Sequence, residues 1–204
     1  MKINNKVIGF GITGSFCTFK NIYPQIQNLK EAGAEVIPIF SYATNTTDNR
    51  FYKASEFKKI IVDITDKAPL TTMVEVEPIG PKSLLDALII APCTGTTLAK
   101  LACGISDTPV LLAAKGHLRN NKPLIIHVSS NDALANNFKN LGQLMNLKNL
   151  YFVPFGQDNY ITKPNSLVAH PDMILPTLEM ALDGKQIQPV IVLKIIINWF
   201  YFPY

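Results

Sequence analysis

Residues 7–15, VIGFGITGS, decide the class of fold of this chain. The segment begins with apolar residues and glycines that predict a buried strand, and Phe19, Ile22, Ile26 and Leu29 follow at the spacing of one helix face. Glycines and hydroxyl side chains lie between strand and helix, as is typical of a turn that binds an anion at a helix N-terminus. The stretch therefore predicts the first strand, turn and helix of an α/β domain.

Strands and helices alternate along the rest of the chain. The segments that predict strands are residues 7–12, 35–40, 60–64, 84–91, 110–114, 124–128 and 150–153. Residues 41–81 are irregular apart from 60–64, and the pattern does not order them. Alternation of this kind implies parallel pairing through right-handed crossovers. We therefore predict a three-layer, Rossmann-like or flavodoxin-like open parallel sheet with helices on both faces.

Four helices are predicted, three between these strands and one after the last of them. The first ends at Gly33 and contains Pro24, which costs about 3 kcal/mol in a helix interior, so we expect this helix to start near Tyr23 or to be kinked there. Thr94 or Thr96 can cap the second helix, which ends near Gly104, and Asp132 can cap the third. The residues expected on buried faces are Leu98, Leu101, Ala102 and Ile105 in the second helix and Leu134, Phe138, Leu141 and Met145 in the third. The last helix spans residues 173–182 and carries Pro176 in its first turn.

Length and composition limit the class of protein. A chain of 204 residues suits one α/β domain, which we assign to residues 1–192. The formal net charge of +4 is modest and the basic residues are dispersed, so no nucleic-acid surface is expected. Cys17, Cys93 and Cys103 form no CxxC pair and the N-terminus does not resemble a signal peptide, so we expect a reducing cytoplasm.

The C-terminal segment, residues 190–204, is almost wholly apolar (VIVLKIIINWFYFPY). It is too short for a membrane span and contains Lys194. A buried terminal strand and an oligomer contact remain as alternatives. We assign residues 193–204 as an atypical apolar tail.

In an open parallel sheet the ligand lies beyond the carboxyl ends of the strands, and three predicted turns there are rich in small and hydroxyl residues. The first has Ser15 or Phe16 where a dinucleotide fingerprint needs its third glycine, so it fits a mononucleotide phosphate better. The candidate binding residues are Gly11, Thr13, Gly14 and Ser15 in the first turn, Pro92, Thr94, Gly95, Thr96 and Thr97 in the second, and Ser129 and Asn131 in the third. The alternatives are close packing without a ligand for the first turn and well-capped helices for the others.

Other reactive residues give weaker signals. His117, His127 and His170 have no second ligand at a metal-binding spacing, so no metal site is predicted. Cys93 has no neighbouring base and is interpreted as a packing residue. No acid/base or nucleophile set is complete, so no catalytic residue is assigned.

A basic group follows the strand predicted at residues 110–114. It consists of Lys115, Arg119 and Lys122. Most groups of this kind are solvated, but a guanidinium with a nearby ammonium could bind a dicarboxylate. Arg119 with Lys115 is the first choice for such a substrate site, and Lys163 is the second.

A series of motifs together resembles a known family. They are GFGITGS at 9–15 with PQI at 24–26, APCTGTTLAKLA at 91–102, SDTPVLLAAK at 106–115, RNNKP at 119–123, SNDAL at 130–134 and VPFGQDNYITKPNSLVA at 153–169. Through them residues 7–190 resemble the flavoprotein family that includes the cysteine-decarboxylase-like proteins. The last motif resembles one branch of that family, the B subunits of a two-subunit oxidoreductase that makes a pyridine dicarboxylate.

The resemblance implies both a reaction and a cofactor. The reaction is the oxidation of a dihydropyridine dicarboxylate to the aromatic calcium chelator of bacterial endospores, in the mother-cell cytoplasm and in an oligomer with an A subunit that has its own dinucleotide-binding fold. The FMN phosphate would lie on Gly11, Thr13, Gly14 and Ser15. The alternatives are an NADP phosphate or a product anion held by the second turn, residues 92–97, a redox cofactor held by the A subunit, and a non-catalytic binding subunit.

The match to the wider family is partial in the second turn. The family motif Pro-x-x-Ala-Asn-Thr is matched by Pro92 and Thr97, while Gly95 and Thr96 replace its alanine and asparagine. The decarboxylases of the family use a histidine ahead of this turn, and residues 1–116 contain none. Decarboxylation by that route is therefore not expected.

Overall fold

The computed structural model describes residues 2–192, so the tail assigned to residues 193–204 lies outside the described residues. The strands are β1 (Val7–Ile12), β2 (Glu35–Phe40), β3 (Ala87–Cys93), β4 (Leu124–Ser130), β5 (Leu150–Phe152), β6 (Phe155–Asn159) and β7 (Lys163–Ala169). The helices are α1 (Phe19–Glu31), α2 (Tyr42–Thr46), α3 (Ala54–Thr65), α4 (Met73–Val76), α5 (Gly95–Ala102), α6 (Pro109–Leu118), α7 (Phe138–Met145) and α8 (Ile174–Leu182). None of these helices is long and apolar enough to cross a membrane.

The strands form one sheet with helices packed around it, which confirms the predicted fold class. The main path of the sheet has the order β2-β1-β3-β4-β7-β6, and β5 pairs with β4 off this path. β1 to β5 pair in parallel, whereas β7 is antiparallel to both β4 and β6. The sheet is therefore mostly parallel rather than wholly so.

The two central strands explain why continuous apolar runs occur in this sequence. All seven residues of β3 and all seven of β4 are buried, because helices cover both faces of the sheet there. Beside them Phe19 of α1 stacks on Phe57 of α3 with ring centroids 4.1 Å apart. The core therefore holds the carboxyl ends of β1, β3 and β4 in register at one edge of the sheet.

The strand predicted at residues 60–64 is wrong, since this segment lies inside α3. Phe57, Ile61 and Thr65 are buried at intervals of four residues along the helix. The side chain of Glu56 accepts a hydrogen bond from the amide of Lys53 at the start of the helix. The run of β-branched residues around Ile61 suggested a strand, but the helical spacing of the buried positions prevails.

The strand predicted at residues 110–114 is also wrong. Thr108 caps α6 by accepting from the amide of Leu111 at 3.3 Å, and Pro109 occupies the first turn. Residues on several sides of α6 are buried, including Val110, Leu111 and Ala113. A helix that is buried on most sides has no apolar periodicity, so its sequence resembles that of a buried strand.

Three expectations about the other helices need correction. Pro24 lies inside α1, so the helix does not start near Tyr23. Asp132 does not cap the third predicted helix, because α7 begins at Phe138 and Asp132 accepts side-chain hydrogen bonds instead. The residues expected on buried faces that are in fact exposed are Ile105, Leu134, Phe138 and Met145.

Residues 155–169, for which the pattern gave only a loop with prolines and glycines, form a hairpin of β6 and β7. Ser129 and Ser130 of β4 pair with Val168 and Leu167 of β7. This pairing brings the hairpin to the edge of the sheet where the three predicted ligand-binding turns lie. The other predicted strands and the final helix are present, with small shifts of their ends.

Candidate functional site

A cleft of about 930 Å³ lies at the carboxyl ends of the parallel strands, within the usual size range of small-molecule sites. Its walls are the turns after β1, β3 and β4, the loop between α2 and α3, and the hairpin of β6 and β7. The three turns predicted to bind a ligand thus meet in one place, as the rule for open parallel sheets requires.

Three hydroxyl groups come together at the first turn. The Ser15 Oγ lies 2.7 Å from the Thr18 Oγ1 and 2.8 Å from the Ser129 Oγ, and the last two atoms are 3.1 Å apart. We call Ser15, Thr18 and Ser129 the hydroxyl cluster. Ser15 and Ser129 also line the cleft, so the cluster offers it hydroxyl groups from two different strands' ends.

The backbone beside the hydroxyl cluster is suited to an anion. Phe16 and Cys17 begin the short 3-10 turn Phe16–Thr18 that leads into α1. Their amides have no acceptor within residues 2–192, as is usual at the start of a helix. Phe16 and Cys17 both line the cleft, where such amides attract negative charge.

The remaining candidates of the first turn have different positions. Gly14 lines the cleft, and a Cβ there would lie 3.3 Å from the Ala43 Cβ, so a larger side chain would disturb the turn. Gly11 lies within β1, and a Cβ there would be 2.9 Å from the Val110 Cγ1. The glycine at position 11 thus allows α6 to pack on the sheet, and Gly11 does not line the cleft.

Thr13 connects the first turn to the second. Its Oγ1 donates to the carbonyl oxygen of Pro92 at 2.7 Å and accepts from the amide of Thr94 at 3.1 Å. Thr13 is buried, so these bonds use its hydroxyl within the protein. Thr13 and Pro92 hold the two turns together rather than face the cleft.

The second turn is divided between capping and the cleft. Thr94 caps α5 by accepting from the amide of Thr97 at 3.3 Å, and the two hydroxyls are 2.9 Å apart. Thr94, Gly95 and Thr96 line the cleft, and Thr96 is exposed there, whereas Thr97 is buried. Thr94 therefore serves as the helix cap, whereas the Thr96 hydroxyl is available to a ligand.

Gly95 packs against a polar cluster from the third turn. A Cβ at this position would lie 2.5 Å from the Ser130 Oγ, 2.6 Å from the Asp132 Oδ1 and 2.7 Å from the Asn137 Nδ2. Asp132 itself accepts from the Ser130 Oγ at 2.5 Å and from the Asn137 Nδ2 at 2.7 Å. Only glycine permits α5 to begin this close to the polar cluster.

Charged residues line the cleft on both sides. The cations are Arg50, Lys100 and Lys163, and the carboxylates are Asp132 and Asp158. The Lys163 Nζ donates to the Asp158 Oδ2 at 2.8 Å, and this hydrogen bond raises the pKa of Lys163. The Lys100 Nζ donates to the Asp107 Oδ2 at 2.6 Å.

Lys115 and Arg119 lie away from the cleft. Both belong to the end of α6, which leads into the amino end of β4, whereas the cleft lies at the carboxyl end. Nearby, the Lys122 Nζ donates to the carbonyl oxygens of Ser83 and Leu85, which precede β3. The structure therefore does not bring Lys115 and Arg119 together with Lys163 or with the hydroxyl cluster.

The buried cysteine and histidines are not part of the cleft. Cys93 is fully buried, and burial raises the pKa of its thiol. Burial lowers the pKa of His117 and of His127 to about 4 each. Residues 2–192 contain no group of three or more histidine, cysteine or acidic side chains arranged to hold a metal ion.

Some cleft residues were not recognised from the sequence. Ser129 and Asn131 are expected from the sequence and line the cleft, whereas Arg50 and Lys100, which also line it, and Thr18, which supports Ser15 and Ser129 from behind the cleft wall, are not. Thr18 lies one turn into the helical segment after Ser15, and this spacing could have indicated it. Arg50 belongs to the stretch that the pattern did not order, so no local signal was available for it.

Comparisons with known proteins identify the family of the chain. Residues 1–177 match the Flavoprotein family. The chain is 46% identical over 190 residues to the B subunit of dipicolinate synthase of Bacillus subtilis strain 168, covering 93% of this chain and 95% of that protein. A crystal structure of the B subunit of dipicolinate synthase from Bacillus halodurans C superimposes with a TM-score of 0.88 at 46% identity, over 95% of this chain and 100% of that one.

A more distant neighbour shares only the fold. The crystal structure of the FMN-dependent cysteine decarboxylase SpaF superimposes with a TM-score of 0.64 at 15% identity, over 90% of this chain and 98% of that one. At this level of identity the likeness describes the arrangement of strands and helices.

Proposed function

The chain belongs to the Flavoprotein family, and we propose that it binds FMN and acts as the B subunit of a dipicolinate synthase, oxidising dihydrodipicolinate to dipicolinate. The similarity to the B subunit of the Bacillus subtilis enzyme extends over 93% of the chain at 46% identity, which supports the assignment to that branch. The observation that carries the cofactor part of the proposal is the hydroxyl cluster beside two free amides.

The hydroxyl cluster fits a phosphate in number and kind of donors. The hydroxyl groups of Ser15 and Ser129 can each donate to a phosphate oxygen, and the amides of Phe16 and Cys17 add two donors at the start of a helical segment. No carboxylate belongs to the cluster, so it would not repel the anion. Because Gly14 has no side chain, the turn can pass close to Ala43 at this point.

The rest of the cleft would hold the other parts of the cofactor and the substrate. Thr96 and Asn131 line it beyond the hydroxyl cluster, and both carry hydrogen-bonding groups that the ring system and the ribityl chain of a flavin require. Bound FMN would supply an acceptor for the two electrons that leave the dihydropyridine ring. The chain's own task is to position the ring, because aromatisation of the substrate itself favours the reaction.

An A subunit completes the proposal. No nucleophile set or set of general acid and base is complete among the cleft residues of this chain, so part of the machinery is assigned to the partner. We assign NADP, as the further electron acceptor, to that A subunit, and the complex to the cytoplasm of a sporulating mother cell.

The second candidate function is a non-catalytic subunit that binds substrate or nucleotide for its partner. A decarboxylase-like enzyme is disfavoured because no histidine lines the described cleft.

Flavin binding is tested by comparing FMN with riboflavin, which lacks the phosphate. We expect the purified chain to bind FMN, seen as flavin absorbance at about 450 nm, and to bind riboflavin more weakly. Ser15→Ala and Ser129→Ala should each weaken FMN binding about tenfold or more, because a hydrogen bond to a charged group contributes about 1.5 to 3 kcal/mol. Riboflavin binding should change little in both variants, which also shows that they are folded.

A chain that binds neither flavin would favour the non-catalytic role. Equal loss of FMN and riboflavin binding in both variants would contradict the location of the phosphate. The partner is tested separately, by assaying dihydrodipicolinate oxidation with this chain alone, with the A subunit alone and with both. Turnover only with both is expected, and full turnover by either one alone would contradict the two-subunit proposal.

A further inference from the structure

Among the described residues, Arg50 differs from the other cations of the cleft in having no carboxylate partner. Lys100 is paired with Asp107 at 2.6 Å, and Lys163 is paired with Asp158 at 2.8 Å. In the part of the chain that the structure describes, no carboxylate oxygen lies within ion-pair distance of Arg50. An exposed guanidinium at the wall of a small-molecule cleft thus has no counter-charge from residues 2–192.

The backbone that carries Arg50 is held by neighbouring hydrogen bonds. The Asn49 Oδ1 accepts from the amides of Phe51 at 2.9 Å and Tyr52 at 3.2 Å. The backbone amide of Asn49 donates to the carbonyl oxygen of Tyr52 at 3.0 Å, and the Asp48 Oδ1 accepts from the backbone amide of Ala54 at 2.9 Å. The loop between α2 and α3 is therefore a defined turn that presents Arg50 from a fixed position.

An aromatic ring supports the guanidinium itself. The Arg50 Cζ lies 4.8 Å from the centroid of the Phe51 ring, and Phe51 also lines the cleft. A guanidinium that stacks on a ring keeps its N–H groups, which lie in its plane, free to donate. Such a group can bind a carboxylate through two parallel hydrogen bonds.

Arg50 and Lys163 approach the cleft from opposite sides. Arg50 follows β2 at one edge of the sheet, and Lys163 belongs to β7, which lies beyond β1, β3 and β4 in the strand order. The turn after β1, with the hydroxyl cluster, lies between them. A ligand with two negative groups could therefore be held at both ends. Lys163 would have to share its contact with Asp158, whereas Arg50 has no such contact among the described residues.

We propose that Arg50 binds one carboxylate of the pyridine dicarboxylate in this cleft and so selects dicarboxylates over monocarboxylates. The inference rests on the proposed function for the identity of the substrate. The sequence alone suggests Arg119 as the guanidinium that binds the substrate. Arg119 lies at the other end of the strands, so Arg50 takes that role here. Asp132, the remaining carboxylate of the cleft, accepts hydrogen bonds from Ser130 and Asn137 and is not within ion-pair distance of Arg50.

The test measures the binding of two product-like probes by calorimetry to the FMN-loaded chain. The probes are pyridine-2,6-dicarboxylate and pyridine-2-carboxylate, and the variants are Arg50→Gln and, as a control with the same loss of charge, Arg119→Gln. We expect the original chain and Arg119→Gln to prefer the dicarboxylate. Arg50→Gln should bind the dicarboxylate about tenfold or more weakly and lose that preference, because a charge-assisted hydrogen-bonded pair is lost.

Each other outcome has a distinct meaning. An undiminished affinity of Arg50→Gln for the dicarboxylate would overturn the role of Arg50 while leaving the proposed function in place. A selective loss of FMN affinity relative to riboflavin in Arg50→Gln would assign Arg50 to the phosphate and overturn the inference. If the original FMN-loaded chain binds neither probe, the substrate part of the proposed function fails and the inference fails with it.

Discussion

The hydroxyl group of Thr13 donates a hydrogen bond to the carbonyl oxygen of Pro92 at 2.7 Å. It also accepts from the amide of Thr94 at 3.1 Å, so one buried side chain joins the turn after β1 to the turn after β3. The hydroxyl cluster belongs to the first of these turns and Thr96 to the second. Their relative position, and hence the shape of the cleft, depends on this contact between Thr13 and Pro92.

Thr13→Val should destabilise the protein by about 1 to 3 kcal/mol, because it leaves the Thr94 amide without its acceptor and removes the shorter of the two hydrogen bonds to the Pro92 carbonyl, which keeps only the Thr13 amide at 3.3 Å. Denaturant unfolding measures the change. Thr13→Ser retains the hydroxyl and should lose much less stability, so it is the matched control. A Thr13→Val variant as stable as the original would mean that water replaces both bonds.

Gly95→Ala should lower the stability and weaken ligand binding, because the added Cβ would lie 2.5 to 2.7 Å from the polar atoms of Ser130, Asp132 and Asn137. Gly142→Ala is the control within another helix, since a Cβ there meets nothing within 4 Å. That control should gain up to about 1 kcal/mol from its helix propensity. Opposite signs of the two changes in thermal unfolding are expected, and two gains would show that the polar cluster can move aside.

His117 and His127 should make the protein less stable as the pH falls from about 7 to about 5. Burial lowers the pKa of each to about 4, whereas the unfolded chain binds a proton near the ordinary value of about 6.5. Between these values the unfolded state holds more protons than the folded state, so acid favours unfolding. Over this range the loss is about 2 kcal/mol for each histidine.

His127→Leu tests one half of this effect. The His127 ring is fully buried, and this burial is the main cause of its lowered pKa. The variant should therefore lose about half of the histidine contribution to the difference in unfolding free energy between pH 7 and pH 5, roughly 2 kcal/mol. An unchanged pH dependence in His127→Leu would show that this histidine is protonated alike in both states.

The three thiols should react differently with a thiol reagent. Cys17 and Cys103 are exposed, whereas Cys93 is buried with a raised thiol pKa. We expect Cys93 to react only after unfolding. Saturating FMN should protect Cys17, which lines the cleft, and leave Cys103 as the internal control. Equal rates for Cys17 with and without FMN would place the flavin elsewhere.

Much of the candidate site could be predicted from the sequence, because the residues that line the cleft follow local rules. The glycine and hydroxyl residues after β1, β3 and β4 are contiguous in the sequence, and parallel strands bring their carboxyl ends to one edge. Gly14, Ser15, Thr96, Ser129 and Asn131 were selected in this way and do line the cleft. The helical segments at 60–64 and 110–114 were missed because a short apolar run is compatible with either a strand or a buried helix.

The sequence by itself determined the alternation of strands and helices, the buried central strands and the three turns, since each depends on residues that are near neighbours in the chain. Only the tertiary structure decided which cations reach the cleft, placing Arg50 and Lys163 there and Arg119 at the opposite end. The bond between Ser15 and Ser129 joins residues 114 positions apart. Such contacts depend on strand order and on the path of each connection, and no local pattern contains that information.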